Sequence, residues 1–350
     1  MLPAHSVRYL LVSRLFLLPL LLSFSISAYA DVNLLTSIKP LQLIAAAVQD
    51  GVGEPDVLLP PGASAHQYAL RPSDVRRVRD ADLFYWIGPD LETFLGRVLE
   101  GRSGPSVALQ GEPGLTLRHF GEPHFDTGEG HADHDHDHDH DHDHDHDHDH
   151  DHDHDHGHDH GHDHGHDLGE HDHAHRPGSL DAHLWLLPDN ARVIAERMAA
   201  DLADADPANA ERYRQNLQVF TARLSALDER LRQRVAGIAG RPYFVFHEAY
   251  EYFEAAYGLG HVGVFSAGME VQPGARHVAA MREQLQQAGP SCVFSEPPLR
   301  PRLAETLTSG LPARLAELDA MGTDTRVGPN GYIEMLEQLS EQLVGCLESL

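Results

Sequence analysis

The 350-residue sequence lacks the features that mark several large classes of protein. Beyond residue 30 it has no apolar run long enough to cross a bilayer. It has no P-loop and no Gly-x-Ser-x-Gly motif, and the pair His247-Glu248 is followed by Glu251 where an HExxH metalloprotease would carry its second His. With 26 Lys and Arg against 54 Asp and Glu, and no basic patch, the chain is not expected to bind nucleic acid.

The first 30 residues have the composition of a secretory signal. Arg8 and Arg14 precede an apolar stretch from Leu15 to Ile26, and small residues follow at Ala28 and Ala30. We therefore expect export, with cleavage after Ala30; a retained membrane anchor is the alternative. No Cys lies near the cleavage position, which argues against a lipid-anchored protein.

Cysteine is scarce, since only Cys292 and Cys346 are present. An exported protein meets an oxidising compartment, where a pair of cysteines forms a disulfide by default; two buried thiols are the alternative. A bond between them would join the C-terminal helix to a strand. Neither cysteine is expected to bind a metal.

Histidine, by contrast, is abundant. Of the 29 His residues, 21 lie between His131 and His175, in a His-Asp repeat that also holds 17 acidic residues and no Lys or Arg. Imidazole is a good ligand for zinc, copper and nickel, and carboxylates add oxygen donors. The repeat has no apolar residue with which to form a core, so we expect it to be disordered without metal. We refer to residues 131–175 as the His-Asp tract.

Outside this tract, short β-branched or aromatic runs alternate with amphipathic runs of helical period, which predicts βαβ units with parallel strands. The predicted strands are Val32–Ile38, Asp56–Leu59, Leu83–Ile87, Tyr243–Phe246, Val262–Phe265 and Cys292–Ser295. The predicted helices are Leu41–Val48, Pro72–Val78, Leu91–Leu99, Ala249–Tyr257, Gly274–Ala288 and Tyr332–Leu347.

A long helix is predicted between these two groups of elements. From Pro207 to Ala236 there is no Gly and no further Pro, and apolar residues recur at intervals of three and four. These residues are Tyr213, Leu217, Phe220, Leu224, Leu227, Leu231 and Val235. At 1.5 Å per residue the helix would be about 45 Å long. The predicted fold is α/β, with two lobes, each a mostly parallel sheet flanked by helices, joined by one long rigid helix.

The predicted organisation follows from these elements. The signal occupies residues 1–30, an N-terminal lobe residues 31–187, a helical segment residues 188–237 and a C-terminal lobe residues 238–350. Pro and Gly lie on both sides of the His-Asp tract, so we expect it to form a solvent loop, at about 121–176, inserted in the first lobe.

Three His residues lie in loops beside predicted strands or helices. His66 follows the second predicted strand, His183 precedes a helix that begins at Pro188, and His247 ends the strand that begins at Tyr243. Ligands of open α/β lobes bind at the carboxyl ends of the strands. Three imidazoles that met there would form a zinc site with a fourth position open to water or a carboxylate. Taken singly, such a His is more often a hydrogen-bonded structural residue than a metal ligand.

Six short segments, spread over the mature chain, have the sequences of recognisable motifs. They are Pro-Gly-Ala-Ser-Ala-His66-Gln-Tyr-Ala-Leu-Arg-Pro-Ser-Asp74, Asp-Ala-His183-Leu-Trp-Leu, Phe-His247-Glu-Ala-Tyr-Glu-Tyr-Phe253, Val271-Gln-Pro-Gly-Ala275, Cys292-Val-Phe-Ser-Glu-Pro297 and Leu318-Asp-Ala-Met-Gly322. Together they resemble the periplasmic zinc-binding component of bacterial zinc ABC importers, a group with manganese-binding relatives.

This resemblance implies a periplasmic protein that binds Zn²⁺, does not itself span the membrane, and works with a zinc ABC permease in the inner membrane. It also implies His66, His183 and His247 as metal ligands, the long helix as a rigid backbone and a Cys292–Cys346 bond. An acidic, His-rich loop is a feature of the zinc-selective branch. The protein is expected to be a monomer and not an enzyme.

The third ligand, His247, and the expected fourth ligand affect the selectivity for zinc over manganese. Manganese-binding relatives carry a carboxylate where this chain has His247, and imidazole suits zinc better than manganese. Some zinc-binding members have Glu immediately before the first His, where this chain has Ala65. Asp319 matches the carboxylate that completes the site in other members, so the expected fourth ligand is Asp319 or a water.

The leading functional hypothesis is capture of zinc and its delivery to a permease, with the His-Asp tract as an accessory site of weaker binding. One alternative is a zinc hydrolase, in which the same three His activate a water and Glu248 is the candidate base. Another is a nickel or copper buffer that acts mainly through the tract.

Overall fold

The computed structural model describes residues 32–121, 178–266, 275–297 and 302–350. The signal segment and the His-Asp tract lie outside the described residues, as does most of Val271–Ala275.

The first sheet is formed by four parallel strands in the order β2-β1-β3-β4. The strands are β1 (Leu34–Thr36), β2 (Asp56–Val57), β3 (Leu83–Trp86) and β4 (Ser106–Ala108), and the helices that accompany them are α1 (Lys39–Val48), α2 (Pro72–Asp80) and α3 (Gly96–Glu100). The three predicted strands are therefore present, with β4 as an additional edge strand. Its sequence, Ser-Val-Ala, is too short to give a recognisable alternation.

A two-stranded antiparallel ribbon follows the first sheet. It pairs β5 (Arg118–His119) with β6 (Leu180–Asp181), so it lies at the two ends of the segment 122–177. Beyond the strands, the backbone N–H of Phe120 donates to Ser179 O at 3.0 Å and that of Gly178 donates to Phe120 O at 2.8 Å. The ribbon therefore holds both ends of that segment with main-chain hydrogen bonds.

Two helices connect the ribbon to the second sheet. They are α4 (Pro188–Ala205) and α5 (Ala210–Val235), the latter of 26 residues or about 39 Å. The predicted apolar stripe of α5 is buried apart from Leu217, which is partly buried. The long linking helix is thus confirmed, and it begins three residues after the predicted Pro207. None of the helices in the described ranges is long and apolar enough to cross a membrane.

The second sheet also has four parallel strands, in the order β10-β9-β7-β8. The elements are β7 (Tyr243–His247), α6 (Glu251–Tyr257), β8 (Gly263–Ser266), α7 (Ala275–Ala288), β9 (Ser291–Ser295), α8 (Arg302–Thr308), β10 (Ala313–Glu317) and α9 (Gly331–Glu348). The α/β fold with two parallel sheets is confirmed. The prediction missed β10, whose sequence Ala-Arg-Leu-Ala-Glu is half exposed at the sheet edge and has little β propensity.

One hydrophobic core extends from sheet to sheet. It includes Leu34 and Tyr85 of the first sheet, Tyr243 and Phe294 of the second, and the buried face of α5. A smaller core lies on the second sheet alone, with α7 and α8 packed against it. Because the larger core is continuous, the two sheets are joined by packing as well as by the chain.

The predicted helix Leu91–Leu99 is only partly present, as a 3₁₀ turn at Thr93–Leu95 that continues into α3. The reason is Glu92, which is fully buried and turns back toward the ends of β1 and β3. Its carboxylate accepts hydrogen bonds from Ser37 Oγ at 2.5 Å and Gly88 N at 3.0 Å. Burial raises the pKa of Glu92 to about 7.

The predicted disulfide is present. Cys292 of β9 and Cys346 of α9 are bonded, at a sequence separation of 54, and both are buried. The bond joins the C-terminal helix to the centre of the second sheet.

We expect the double variant Cys292→Ala/Cys346→Ala to lose about 4 kcal/mol of unfolding free energy, the value of the chain-entropy treatment for a loop of this length. Urea unfolding followed by circular dichroism measures the loss. Adding a reductant to the wild type should reproduce it and should leave the double variant unchanged. Equal midpoints for oxidised and reduced wild type would show that the bond contributes no stability.

Candidate metal centre

His66 lies in the loop that follows β2. Ala63 N donates to Pro60 O at 3.1 Å, closing a turn in which Gly62 has a positive φ of 77°. The Ser64 hydroxyl then accepts from the backbone N–H groups of His66 at 3.3 Å and Gln67 at 3.2 Å. These bonds give the loop a defined path, and the His66 side chain lines the cleft between the two sheets.

His183 follows β6 directly and is 3% exposed. Its Nδ1 lies 2.7 Å from Asp181 Oδ1, and the same oxygen accepts the His183 backbone N–H at 3.0 Å. Asp181 is fully buried, and burial raises the pKa of its carboxyl well above the usual range. With Nδ1 directed at the carboxylate, Nε2 is the nitrogen left to bind a ligand.

His247 is the last residue of β7, at the carboxyl end of the second sheet. Its Nδ1 lies 2.8 Å from Glu296 Oε1, just beyond the end of the neighbouring strand β9. The Tyr250 hydroxyl also reaches Glu296 Oε1, at 3.3 Å, and donates to Leu318 O at 2.7 Å. His247 and His183 are therefore held in the same way, each by a carboxylate at Nδ1.

The three imidazoles meet in the cleft. The ring centroids are 5.4 Å apart for His66 and His183, 5.3 Å for His66 and His247, and 4.9 Å for His183 and His247. One potential ligand nitrogen from each ring lies within 4.8 Å of the others. A tetrahedral zinc with Zn–N bonds of about 2.0–2.1 Å needs about 3.4 Å between nitrogens, which small ring movements would provide. Among the described residues, this is the one group of three or more such side chains at ligating distance.

The cleft is larger than an ion requires and mostly apolar. It has about 860 Å³ of empty space, counting the part open to solvent, and Leu59, Pro60, Pro61 and Met321 form part of its wall. The charged residues among its described lining are Lys39 and Glu296.

Asp319 is placed in the loop after β10, where its carboxylate binds the backbone of its own loop. Oδ1 accepts from Met321 N at 2.9 Å, and Oδ2 accepts from Thr323 N at 2.7 Å. Burial raises the Asp319 pKa, although these hydrogen bonds oppose the shift. The structure brings the three His together without Asp319 among the grouped ligand atoms.

Glu248, the candidate base of a hydrolase, is not among the described residues that line the cleft. Its side chain is hydrogen-bonded to Glu251, and burial raises the pKa of Glu248 and brings that of Glu251 to about 7. The carboxylate that does line the cleft, Glu296, is engaged by His247.

The sequence analysis missed the roles of Asp181 and Glu296. Asp181 and His183 are two residues apart at a strand end, and residues with that spacing point to the same side of a strand. Glu296 follows β9, whose carboxyl end adjoins that of β7. The spacing alone could therefore have identified Asp181, whereas Glu296 could be identified only once the strand order was known.

A family profile and known proteins match this chain over most of its length. The family profile "ZnuA: Zinc-uptake complex component A periplasmic" matches residues 34–346. The high-affinity zinc uptake system protein ZnuA of Yersinia pestis is 36% identical over 321 residues, 91% of this chain and 92% of that protein. The protein of the same name from Paracoccus denitrificans is 38% identical over 327 residues, 92% of this chain and 94% of that protein.

The fold agrees with this match. A crystal structure of ZnuA superposes with a TM-score of 0.66 at 18% sequence identity, and the alignment covers 91% of this chain and 99% of that one. The chain therefore belongs to the ZnuA family of periplasmic zinc-uptake components.

Proposed function

We propose that this protein captures Zn²⁺ in the periplasm and delivers it to an ABC-type permease. The observation that carries the proposal is the meeting of His66, His183 and His247, with their ligand nitrogens within 4.8 Å of one another, in a cleft between two sheets. Membership of a family of zinc-uptake components supports the same function.

The donor set favours zinc. Three imidazoles bind zinc well, whereas manganese prefers oxygen ligands. The carboxylates of Asp181 and Glu296 orient two of the rings, as partners of metal-binding His do. This donor set leaves the fourth position to Asp319 or to a ligand from solution such as water.

Zinc is the cargo here, so the site must release it as well as bind it. Protons compete with the metal for imidazole nitrogens, and zinc affinity therefore falls as the solution is acidified. The function requires export, for which cleavage after Ala30 is proposed, and a permease in the inner membrane. The protein acts as a monomer, and the His-Asp tract binds additional ions more weakly.

The first prediction concerns the number of zinc ions bound. A form without residues 131–175 should bind one zinc tightly, and the intact protein should bind more in total because imidazoles of the tract also bind metal. Replacing His66, His183 and His247 by Ala in the shortened form should abolish tight binding. Equilibrium dialysis with zinc measures each stoichiometry.

His261 provides a matched control, because its Nδ1 lies 3.0 Å from both carboxylate oxygens of Glu254, away from the cleft. His261→Ala in the shortened form should still bind one zinc. Loss of the tight site on removal of the tract alone would assign tight binding to the tract and would favour a metal buffer. Turnover of a hydrolysable ester or peptide by the zinc-loaded protein would favour the hydrolase.

The second prediction concerns the carboxylates behind the rings. Glu296→Gln should weaken zinc binding by about 10- to 100-fold, the usual effect of losing a carboxylate partner of a metal-binding His. Competition with a chromophoric chelator gives the affinity. Glu305→Gln, an exposed change on α8, should have no effect. Unchanged affinity in Glu296→Gln would mean that its contact with His247 does not tune the site.

The third prediction concerns Asp319. If its carboxylate binds the ion, Asp319→Ala should lower zinc affinity and remove one oxygen scatterer from the zinc X-ray absorption spectrum. Because the variant also loses the hydrogen bonds to Met321 and Thr323, its thermal stability is measured in parallel. An unchanged coordination sphere and affinity would assign the fourth position to a ligand from solution.

A further inference from the structure

Lys39 is the only lysine in the sequence, since the other 25 of the 26 Lys and Arg residues are Arg. The side chains of Lys and Arg differ physically. Arg presents a planar fork that suits bidentate pairing, whereas Lys presents a compact ammonium on a flexible stem. A chain that otherwise uses Arg throughout thus has its one ammonium side chain on the wall of the zinc cleft.

The described surroundings of Lys39 show no counter-charge paired with this ammonium. It is the first residue of α1, half-buried, and lines the same cleft as His66, His183 and His247. Within the described ranges the structure shows no ion pair or hydrogen bond of its ammonium. Glu296, the acidic residue among the described lining, is bound to His247 Nδ1 at 2.8 Å. Burial lowers the Lys39 pKa.

An ammonium in this position opposes the proposed function of the cleft. The carboxylates of Asp181 and Glu296 lie behind two of the rings and offset the double charge of zinc. The Lys39 ammonium then adds one positive charge that nothing balances, and in the same partly dry space it repels the ion. Repulsion of this kind is relieved by an anion that contacts both charges.

We propose that the cleft binds zinc together with one small monovalent anion from solution, which takes the fourth coordination position and pairs with the Lys39 ammonium. This inference rests on the proposed function. The anion is a halide or the carboxylate of a small acid, and zinc accepts both as a fourth ligand beside three imidazoles.

The size and lining of the cleft fit such a ligand. Its empty space of about 860 Å³, part of it open to solvent, far exceeds the volume of one ion. The walls formed by Leu59, Pro60, Pro61 and Met321 offer no further charge to a polyvalent anion. A single ammonium therefore matches a single negative charge.

The chain's own carboxylates are less suited to the position. The oxygens of Asp319 accept hydrogen bonds from Met321 N and Thr323 N, which would have to break before Asp319 reached the ion. Glu296 would have to leave His247. A solution anion requires neither change.

The test uses the intact protein with one equivalent of zinc, in sodium perchlorate, bromide or acetate at equal ionic strength. Zinc affinity is measured by chelator competition, and the zinc-edge X-ray absorption spectrum is recorded in bromide. We expect one Zn–Br scatterer in the wild type, and roughly three- to tenfold tighter binding in bromide or acetate than in perchlorate. The bromide and acetate arms separate a halide site from a carboxylate site.

Two variants isolate Lys39. Lys39→Gln should lose the Zn–Br scatterer and the dependence on the anion, whereas Lys39→Arg, which keeps the charge, should retain part of both. Absence of bromide from the wild-type spectrum together with equal affinity in all three salts would overturn the proposal. So would tighter zinc binding by Lys39→Gln in every salt, which would make Lys39 a purely repulsive group. Failure of the proposed function gives a different result, namely tight zinc binding that survives the His66/His183/His247 triple Ala change in the form without residues 131–175.

Discussion

The proposed metal centre depends on two hydrogen bonds that are made away from the metal. Asp181 and Glu296 bind Nδ1 of His183 and His247, at 2.7 and 2.8 Å, and so fix both the tautomer and the orientation of the rings. An imidazole without such a partner can rotate and can present either nitrogen. The fold must therefore bring carboxylates as well as imidazoles to the cleft, and it does so at the ends of strands.

The ends of strands and the loops that follow them supply these residues, and the shared core fixes the distance between them. His66 lies in the loop after β2 of the first sheet, His247 ends β7 of the second, and His183 follows the antiparallel ribbon between them. The Tyr252 hydroxyl joins that segment to α6, because it accepts from Arg118 N at 2.9 Å and donates to Asp181 O at 2.8 Å. The indole of Trp185 donates to Ala320 O at 2.9 Å, in the loop after β10. A metal bound by all three His thus adds to links that already exist.

Much of this architecture could be predicted from the sequence. The stripe from Tyr213 to Val235 predicted α5, because its period repeats over about six turns without Gly or Pro to interrupt it. The three His were chosen correctly as a group that meets in space. What the sequence could not reveal was strand order, so the pairing of Glu296 with His247 and the position of Lys39 on the cleft wall were missed. Glu92 was missed for a related reason, since a buried Glu that binds strand ends looks like an ordinary helix residue.

The ribbon of β5 and β6 allows the sequence that joins its two strands to vary. Its ends are held by backbone groups of Phe120, Gly178 and Ser179, which any amino-acid sequence between them would leave in place. Asp181 and His183 follow these hydrogen bonds in the sequence. We therefore expect their positions to be independent of the length and composition of residues 122–177. The protein therefore has a natural insertion point before Gly178, where a tag, a reporter domain or another metal-binding sequence can be joined three residues from Asp181 without redesign of the cleft.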